Sequence, residues 1–215
     1  MVMRSLFDID SFLWRWLSRL ADLMLLNLLF AVCCIPVFTV GAALSALYSV
    51  CLKMAVNKEG CVTMDFFQAF KRNFKQATLL WLIMTGIALV FTVNYLCLPL
   101  LPNAPEEIMK VLLNIVAGVY IAVWSFLFPI QCKFENSVKN TLKNALALAL
   151  RHLIPCTLPV SALNIAPILI LRSGSETGIA ILTFTFIFLF SGIAFLNSKL
   201  LLPVFRKYAS PHHTE

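Results

Sequence analysis

Apolar positions run without interruption from Leu23 to Leu52, 30 residues that include no Asp, Glu, Lys, Arg or His. A bilayer core about 30 Å thick is crossed by about 20 apolar residues of helix. The stretch is therefore too long for one straight span. Pro36 and Gly41 interrupt it midway, in the run Ile35-Pro36-Val37-Phe38-Thr39-Val40-Gly41. Pro removes a backbone donor and disfavours helix in the residue before it, and Gly permits a turn. The pattern predicts a tight transmembrane hairpin, one helix to about Ile35 and a second from about Ala42 to Val56.

The rest of the chain alternates between amphipathic and apolar segments. Residues 1–20 form an amphipathic leading segment, in which Trp14 and Trp16 suit the headgroup layer. After the loop 57–61, with Gly60 as a helix stop, residues 62–76 place Phe66, Phe67, Phe70 and Phe74 at helical spacing, with Lys71, Arg72 and Lys75 opposite. A charge-free run, 76–105, contains a span and ends among Pro99, Pro102 and Pro105. Residues 111–132 give a fourth span, ending near Pro129. The polar stretch 133–144 precedes a fifth, which Pro155, Pro159 and Pro167 should kink, and a sixth is rich in Phe. The prediction is an all-α, polytopic transmembrane helical bundle in a single integral membrane domain over 1–215. It has about six spans (17–35, 42–56, 77–98, 109–130, 146–171 and 178–200) and two cytoplasmic amphipathic helices.

Charge orients this arrangement. With six spans, 15 of the 17 Lys and Arg fall on one face; Lys110 and Arg172 fall on the other. Cytoplasmic loops carry the basic excess, so both termini and both amphipathic loops are expected to be cytoplasmic. Read as one span, 23–52 would separate the N-terminus from the 53–75 loop and leave their shared basic character unexplained.

The two cytoplasmic loops resemble each other at an offset of 68: Phe66 aligns with Phe134, Lys71 with Lys139, Phe74 with Leu142, Lys75 with Lys143, and Pro99 with Pro167. A parallel duplication, common in transport folds, would produce this. So would convergence, since interfacial helices with a K-x-x-x-K stripe look alike.

Composition narrows the class. Hydrophobic residues make up 60% and charged residues 13%, against about 25% charged in soluble domains. The net charge of +7 is explained by the membrane surface and the orientation rule, and no nucleic-acid-binding module is present. The 7 cysteines are odd in number and form no C-x-x-C; they read as small buried residues. A cleavable leader is not expected, because the apolar run continues past Val40-Gly41-Ala42 and the region before it carries Asp8, Asp10 and Asp22. Signatures of metalloproteases, serine hydrolases and nucleotide-binding loops are absent from the sequence. His152 stands alone and His212-His213 lie in a polar tail. No enzymatic activity, metal or cofactor is expected.

Polar residues inside the spans are the candidates for a site: Asn27, Tyr48, Asn94, Asn114, Asn164 and Asn197. Side-chain amides routinely bridge helices; Tyr48, Asn94, Asn164 and Asn197 could instead form a polar site at mid-depth for a hydroxylated solute. Arg151 is either a functional buried charge or a side chain reaching back to the interface. Lys71, Lys75, Lys139 and Lys143 either adsorb to anionic lipid or form a docking surface for a cytoplasmic partner.

The runs Leu25-Leu26-Asn27-Leu28-Leu29-Phe30, Ile35 to Gly41, Ala46-Leu47-Tyr48, Leu52-Lys53-Met54, Glu59-Gly60, Asp65-Phe66-Phe67 and Phe70 to Ala77 together resemble the YesL-like family of small bacterial membrane proteins. The stretch Phe134 to Ala145 is also similar. The resemblance is specific over 25–77 and loose after 150. It implies no established activity and transfers no catalytic or ligand residue. Members of the family are often found beside carbohydrate-uptake and glycan-degradation systems. An accessory role in sugar import or its control is what this implies, with the bilayer and an uptake system as partners; a stand-alone small-solute carrier is the alternative. Oligomeric state is not encoded legibly.

Overall fold

In the computed structural model the uncharged stretch doubles back at Pro36. The helix α1 (Val2–Cys33) is followed by a 3-10 turn, Val37–Thr39, and then by α2 (Val40–Ala55). A helix end leaves carbonyls without partners, and Pro36 brings no N–H to meet them. Thr39 meets the need. Its hydroxyl lies 2.5 Å from the Cys33 carbonyl oxygen and 2.6 Å from that of Pro36, and its N–H donates to the Pro36 carbonyl at 2.9 Å.

At the other end of α2 the chain turns through Asn57, whose φ of 52° is tolerated by Asn better than by most residues. The Arg19 guanidinium of α1 donates to the Asn57 side-chain carbonyl. Lys53 pairs with Asp65 at 2.7 Å, and the Gly60 N–H reaches the other oxygen of that carboxylate at 3.3 Å. These contacts hold Arg19, the loop after α2 and the start of α3 at one end of the bundle. This is the same-side relation that a hairpin requires.

The helix α3 (Val62–Cys97) joins two segments that read as separate, the amphipathic stretch and the following span. Nothing between Phe74 and Ala77 breaks helix. A single buried stripe, Val62, Phe66, Ala69, Asn73, Ala77, Leu80 and Met84, continues in register through both. The next helix, α4 (Glu106–Lys133), passes through Pro129 instead of ending there. Phe126, Leu127, Phe128 and Ile130 are all buried, and packing of that turn overrides the missing N–H.

Two helices are described in the fifth apolar segment and the stretch before it. The helix α5 (Val138–Arg151) is separated from α6 (Leu158–Arg172), which a single π-type turn at Cys156 and Thr157 precedes. The Thr157 hydroxyl donates to the Ala149 carbonyl at 2.9 Å. The last helix, α7 (Glu176–Ala209), carries Pro203 inside it.

The structure describes residues 2–58, 60–98, 106–134, 137–151, 156–172 and 176–209, with side chains at 17–58, 60–98, 107–134, 137–151, 156–165 and 190–207. Glu59, Pro99, Pro102, Pro105, Asn136, His152, Pro155 and His212-His213 lie outside them.

Among these residues the protein is all-helical and without strands. The centre is α2, packed against α1, α3, α4 and α7 and buried along most of its length. An aromatic seam, Trp81, Trp124, Tyr120 and Phe128, joins α3 to α4. The Tyr120 hydroxyl also donates to the Met84 carbonyl at 3.2 Å. Three helical segments among the described residues are long and apolar enough to cross a membrane: Val37–Ala55, Val62–Cys97 and Glu107–Lys133.

Candidate functional site

Three of the polar residues marked in the spans converge. Asn197 of α7 is fully buried. Its Nδ2 donates to the Tyr48 hydroxyl of α2 at 3.2 Å and to Oδ1 of Asn164 in α6 at 3.1 Å. Asn164 in turn donates through Nδ2 to the Ser125 hydroxyl of α4 at 3.1 Å. Ser125 lies 2.8 Å from the Ile121 carbonyl, to which it donates, and 3.5 Å from the Ser161 hydroxyl. One chain of hydrogen bonds therefore links α2, α7, α6 and α4.

Each member is there for a local reason. Tyr48 lies on the central helix, whose neighbours exclude water. Asn164 and Asn197 face inward from α6 and α7, which pack on each other. A buried amide without partners is strongly disfavoured, so the amides pair across helices. The pairing is incomplete: Oδ1 of Asn197 is buried with no hydrogen-bond partner among the described residues, as are the hydroxyls of Ser45 and Ser198. The arrangement can bridge helices, and it retains unused acceptor capacity at its centre.

Asn94 does not join this cluster. It is exposed on the outer half of α3, and its Nδ2 donates to the Val90 carbonyl one turn back. The amide is satisfied within its own helix, which removes the need for a partner elsewhere. Asn27 is also buried and accepts the Ser191 N–H at 3.3 Å, tying α1 to α7. Asn114 is exposed.

Arg151 is exposed at the end of α5, not buried in the bundle. Arg151 stands in the last turn of α5, where a cation is favoured by the helix carbonyls and dipole.

The four lysines of the basic helices, Lys71, Lys75, Lys139 and Lys143, are all exposed. On the same helices Phe66 and Thr141 are fully buried, and Phe70, Val138 and Leu142 pack against the core. Phe67 departs from the expected apolar face: it is exposed, because the buried stripe runs through Phe66, Ala69 and Asn73 instead.

A second polar linkage was not legible in advance. Gln131 of α4 donates to Oε1 of Gln76 in α3 at 2.8 Å and accepts the Thr141 hydroxyl of α5 at 3.2 Å. Gln76 and Gln131 stand at the ends of apolar runs, where a Gln reads as loop. Ser125 and Ser161 carry no hydropathy signal inside a span, and Thr141 is one polar residue among many in the stretch 133–144. Among the described residues, no three His, Cys, Asp or Glu side chains gather as a metal site would require.

Comparison with known proteins supplies a family and nothing on activity. No curated protein and no solved structure matches the chain. The matched segment holds the last third of α1, the hairpin turn, α2 and most of α3, and so includes Tyr48, Lys71 and Lys75; Asn164, Asn197, Lys139 and Lys143 fall beyond it. Residues 23–95 match the family described as "Protein of unknown function, DUF624", the domain family to which the YesL-like family belongs.

Proposed function

We propose that the chain is a non-enzymatic, multi-pass plasma-membrane protein that acts as an accessory or regulatory component of carbohydrate uptake. Its two basic helices dock a cytoplasmic or membrane partner. The observation that carries this reading is the outward display of Lys71, Lys75, Lys139 and Lys143 from helices whose opposite faces pack on the core. Attraction to anionic lipid is worth about 1 kcal/mol per basic residue and needs no matched register; a docking surface presented twice does. Correspondence of the two units at an offset of 68 extends to burial, since Asn73 and Thr141, and Ala77 and Ala145, are buried in both. The link to carbohydrate uptake rests on the resemblance alone.

Replacing the four lysines with Gln is expected to leave insertion and folding intact while reducing what is recovered with the protein from native membranes. A quadruple variant that keeps every native partner and normal cellular activity would show these helices to be merely interfacial.

Six spans with both termini cytoplasmic complete the proposal. They are supported by the 15-to-2 division of basic residues and by the packing of Arg19 and the start of α3 at one end. Cys61 offers a direct reporter. It is exposed, and the hydrogen bond to the Thr63 hydroxyl, 3.2 Å away, lowers its thiol pKa from the ordinary value, with help from the Met64 N–H. The thiolate is the reacting form. Alkylation by a membrane-impermeant maleimide should therefore stay fast to a lower pH than for an ordinary thiol, in inside-out vesicles. In intact cells Cys61 should be protected, while a cysteine introduced at Asn103 reacts. The reverse pattern would exclude the orientation.

One observation favours the second reading, a stand-alone carrier for a hydroxylated solute: the unpartnered Oδ1 of Asn197 at the centre of the buried polar chain. Solute uptake into liposomes containing the purified protein alone would establish it.

A further inference from the structure

A pocket of about 380 Å³ opens between the base of α3 and the end of α4. It is lined by Arg72, Asn73 and Gln76 on one side and by Gln131, Lys133 and Phe134 on the other. Its volume falls within the roughly 300–1,000 Å³ range of small-ligand sites.

The lining is one-sided in charge. Arg72 and Lys133 supply two cations, and no acidic side chain lines the pocket among the described residues. Lys133 is held at the rim with its ammonium 5.0 Å over the Phe205 ring. The neutral groups are also biased towards donation. Asn73 is 8% exposed, and its Nδ2 is buried without a partner among the described residues. A buried N–H left unmade is unfavourable, and its persistence asks what acceptor it meets. Gln131 is engaged elsewhere: its Nε2 donates to Gln76 and its Oε1 accepts the Thr141 hydroxyl. Those bonds instead fix the wall between α3, α4 and α5.

We infer that this pocket binds a phosphate-bearing group. A planar guanidinium offers paired N–H donors that fit phosphate oxygens, and an ammonium adds a point charge. A phosphomonoester carries about −1.5 to −2 at pH 7, which matches the two cations; a phosphodiester headgroup carries a single negative charge and still offers a pair of acceptor oxygens to the Arg72 fork. The waiting amide N–H supplies a further donor. The group is either a soluble phosphate or the headgroup of an anionic phospholipid.

The test uses the full-length protein, first in detergent stripped of lipid with inorganic phosphate, then in nanodiscs of phosphatidylglycerol or of phosphatidylcholine. Thermal unfolding reads binding to the folded state in each arm. Saturable stabilisation by phosphate in detergent assigns a soluble ligand; stabilisation only by phosphatidylglycerol assigns a headgroup. Either result supports the site if Arg72→Gln weakens the effect about tenfold or more and Lys71→Gln, one position away and exposed, does not. Asn73→Leu is a second probe. It removes an N–H that makes no bond in the empty pocket, so folding should survive while binding weakens. No saturable effect in either arm, or equal losses from Arg72→Gln and Lys71→Gln, would overturn the inference.

Discussion

Gly41→Val is expected to prevent recovery of a stably folded protein. Gly41 sits in the first turn of α2, where that helix meets α3. A Cβ built there would overlap the Ala77 carbonyl oxygen and lie 2.5 Å from the Trp81 Cβ and 3.0 Å from the Ala77 carbonyl carbon. These are backbone and Cβ atoms, so no side-chain rotation relieves the clash; the helices must separate. Overpacking of a core costs about 1–3 kcal/mol, a range that applies to Gly41→Ala, and the branched side chain of Val exceeds it. At roughly 2–4 °C per kcal/mol for a chain of this size, Gly41→Ala should lower the melting temperature in detergent by several degrees. Gly86→Ala and Gly118→Ala are the controls. Neither Cβ would meet an atom within 4 Å, and each substitution should gain up to about 1 kcal/mol in helix propensity. Equal behaviour of all three alanine variants would show that α2 and α3 do not approach as described.

Asn197→Ala should have the next largest effect. It leaves the Tyr48 hydroxyl and the Asn164 carbonyl without their shared donor and opens a void at a fully buried position. Hydrogen bonds between membrane helices are worth about 0.6 kcal/mol on average and about 1.7 at most. Two such bonds and the void together give about 2–4 kcal/mol. Tyr48→Phe should cost less, about 1 kcal/mol, and the two effects should fail to add. Asn94→Ala should fall within about 0.5 kcal/mol of wild type, since that amide bonds only its own helix. Thermal unfolding of the three single variants and the double variant decides the matter. Strict additivity would mean that Asn197 and Tyr48 are not in contact. If the variants also abolish solute uptake in liposomes at a temperature where they remain folded, the carrier reading replaces the accessory one.

The hairpin could be read from the chain because an uncharged run with one Pro at its midpoint has few ways to fold in a bilayer. Tyr48, Asn164 and Asn197 were legible as a group because a polar group in an apolar span stands out and must find a partner. Their partners Ser125 and Ser161 were not, since a hydroxyl can be satisfied by its own helix and so leaves no pattern. Asn94 was misplaced for a related reason. The outer half of α3 is apolar on every face, as the exposed Leu89, Val90, Val93 and Leu96 show, and periodicity then says nothing about which side turns inward. Fusion of the amphipathic stretch with its span in α3 was hidden because composition changes at Gln76 while the helical register does not. Pro129 misled by acting locally where packing decides.

The tip of the hairpin bears on how the protein enters its membrane. Ile35, Val37 and Phe38 are exposed there, and Pro36 with them; the turn offers apolar surface where most loops offer charge. Since no Asp, Glu, Lys, Arg or His stands between Asp22 and Lys53, the six-span arrangement proposed above lets α1 and α2 insert as a preformed pair without dragging a charged group across the hydrocarbon. In the six-span arrangement only the connections around Lys110 and Arg172 require such a transfer, and those are the steps at which assistance from the insertion machinery would be limiting.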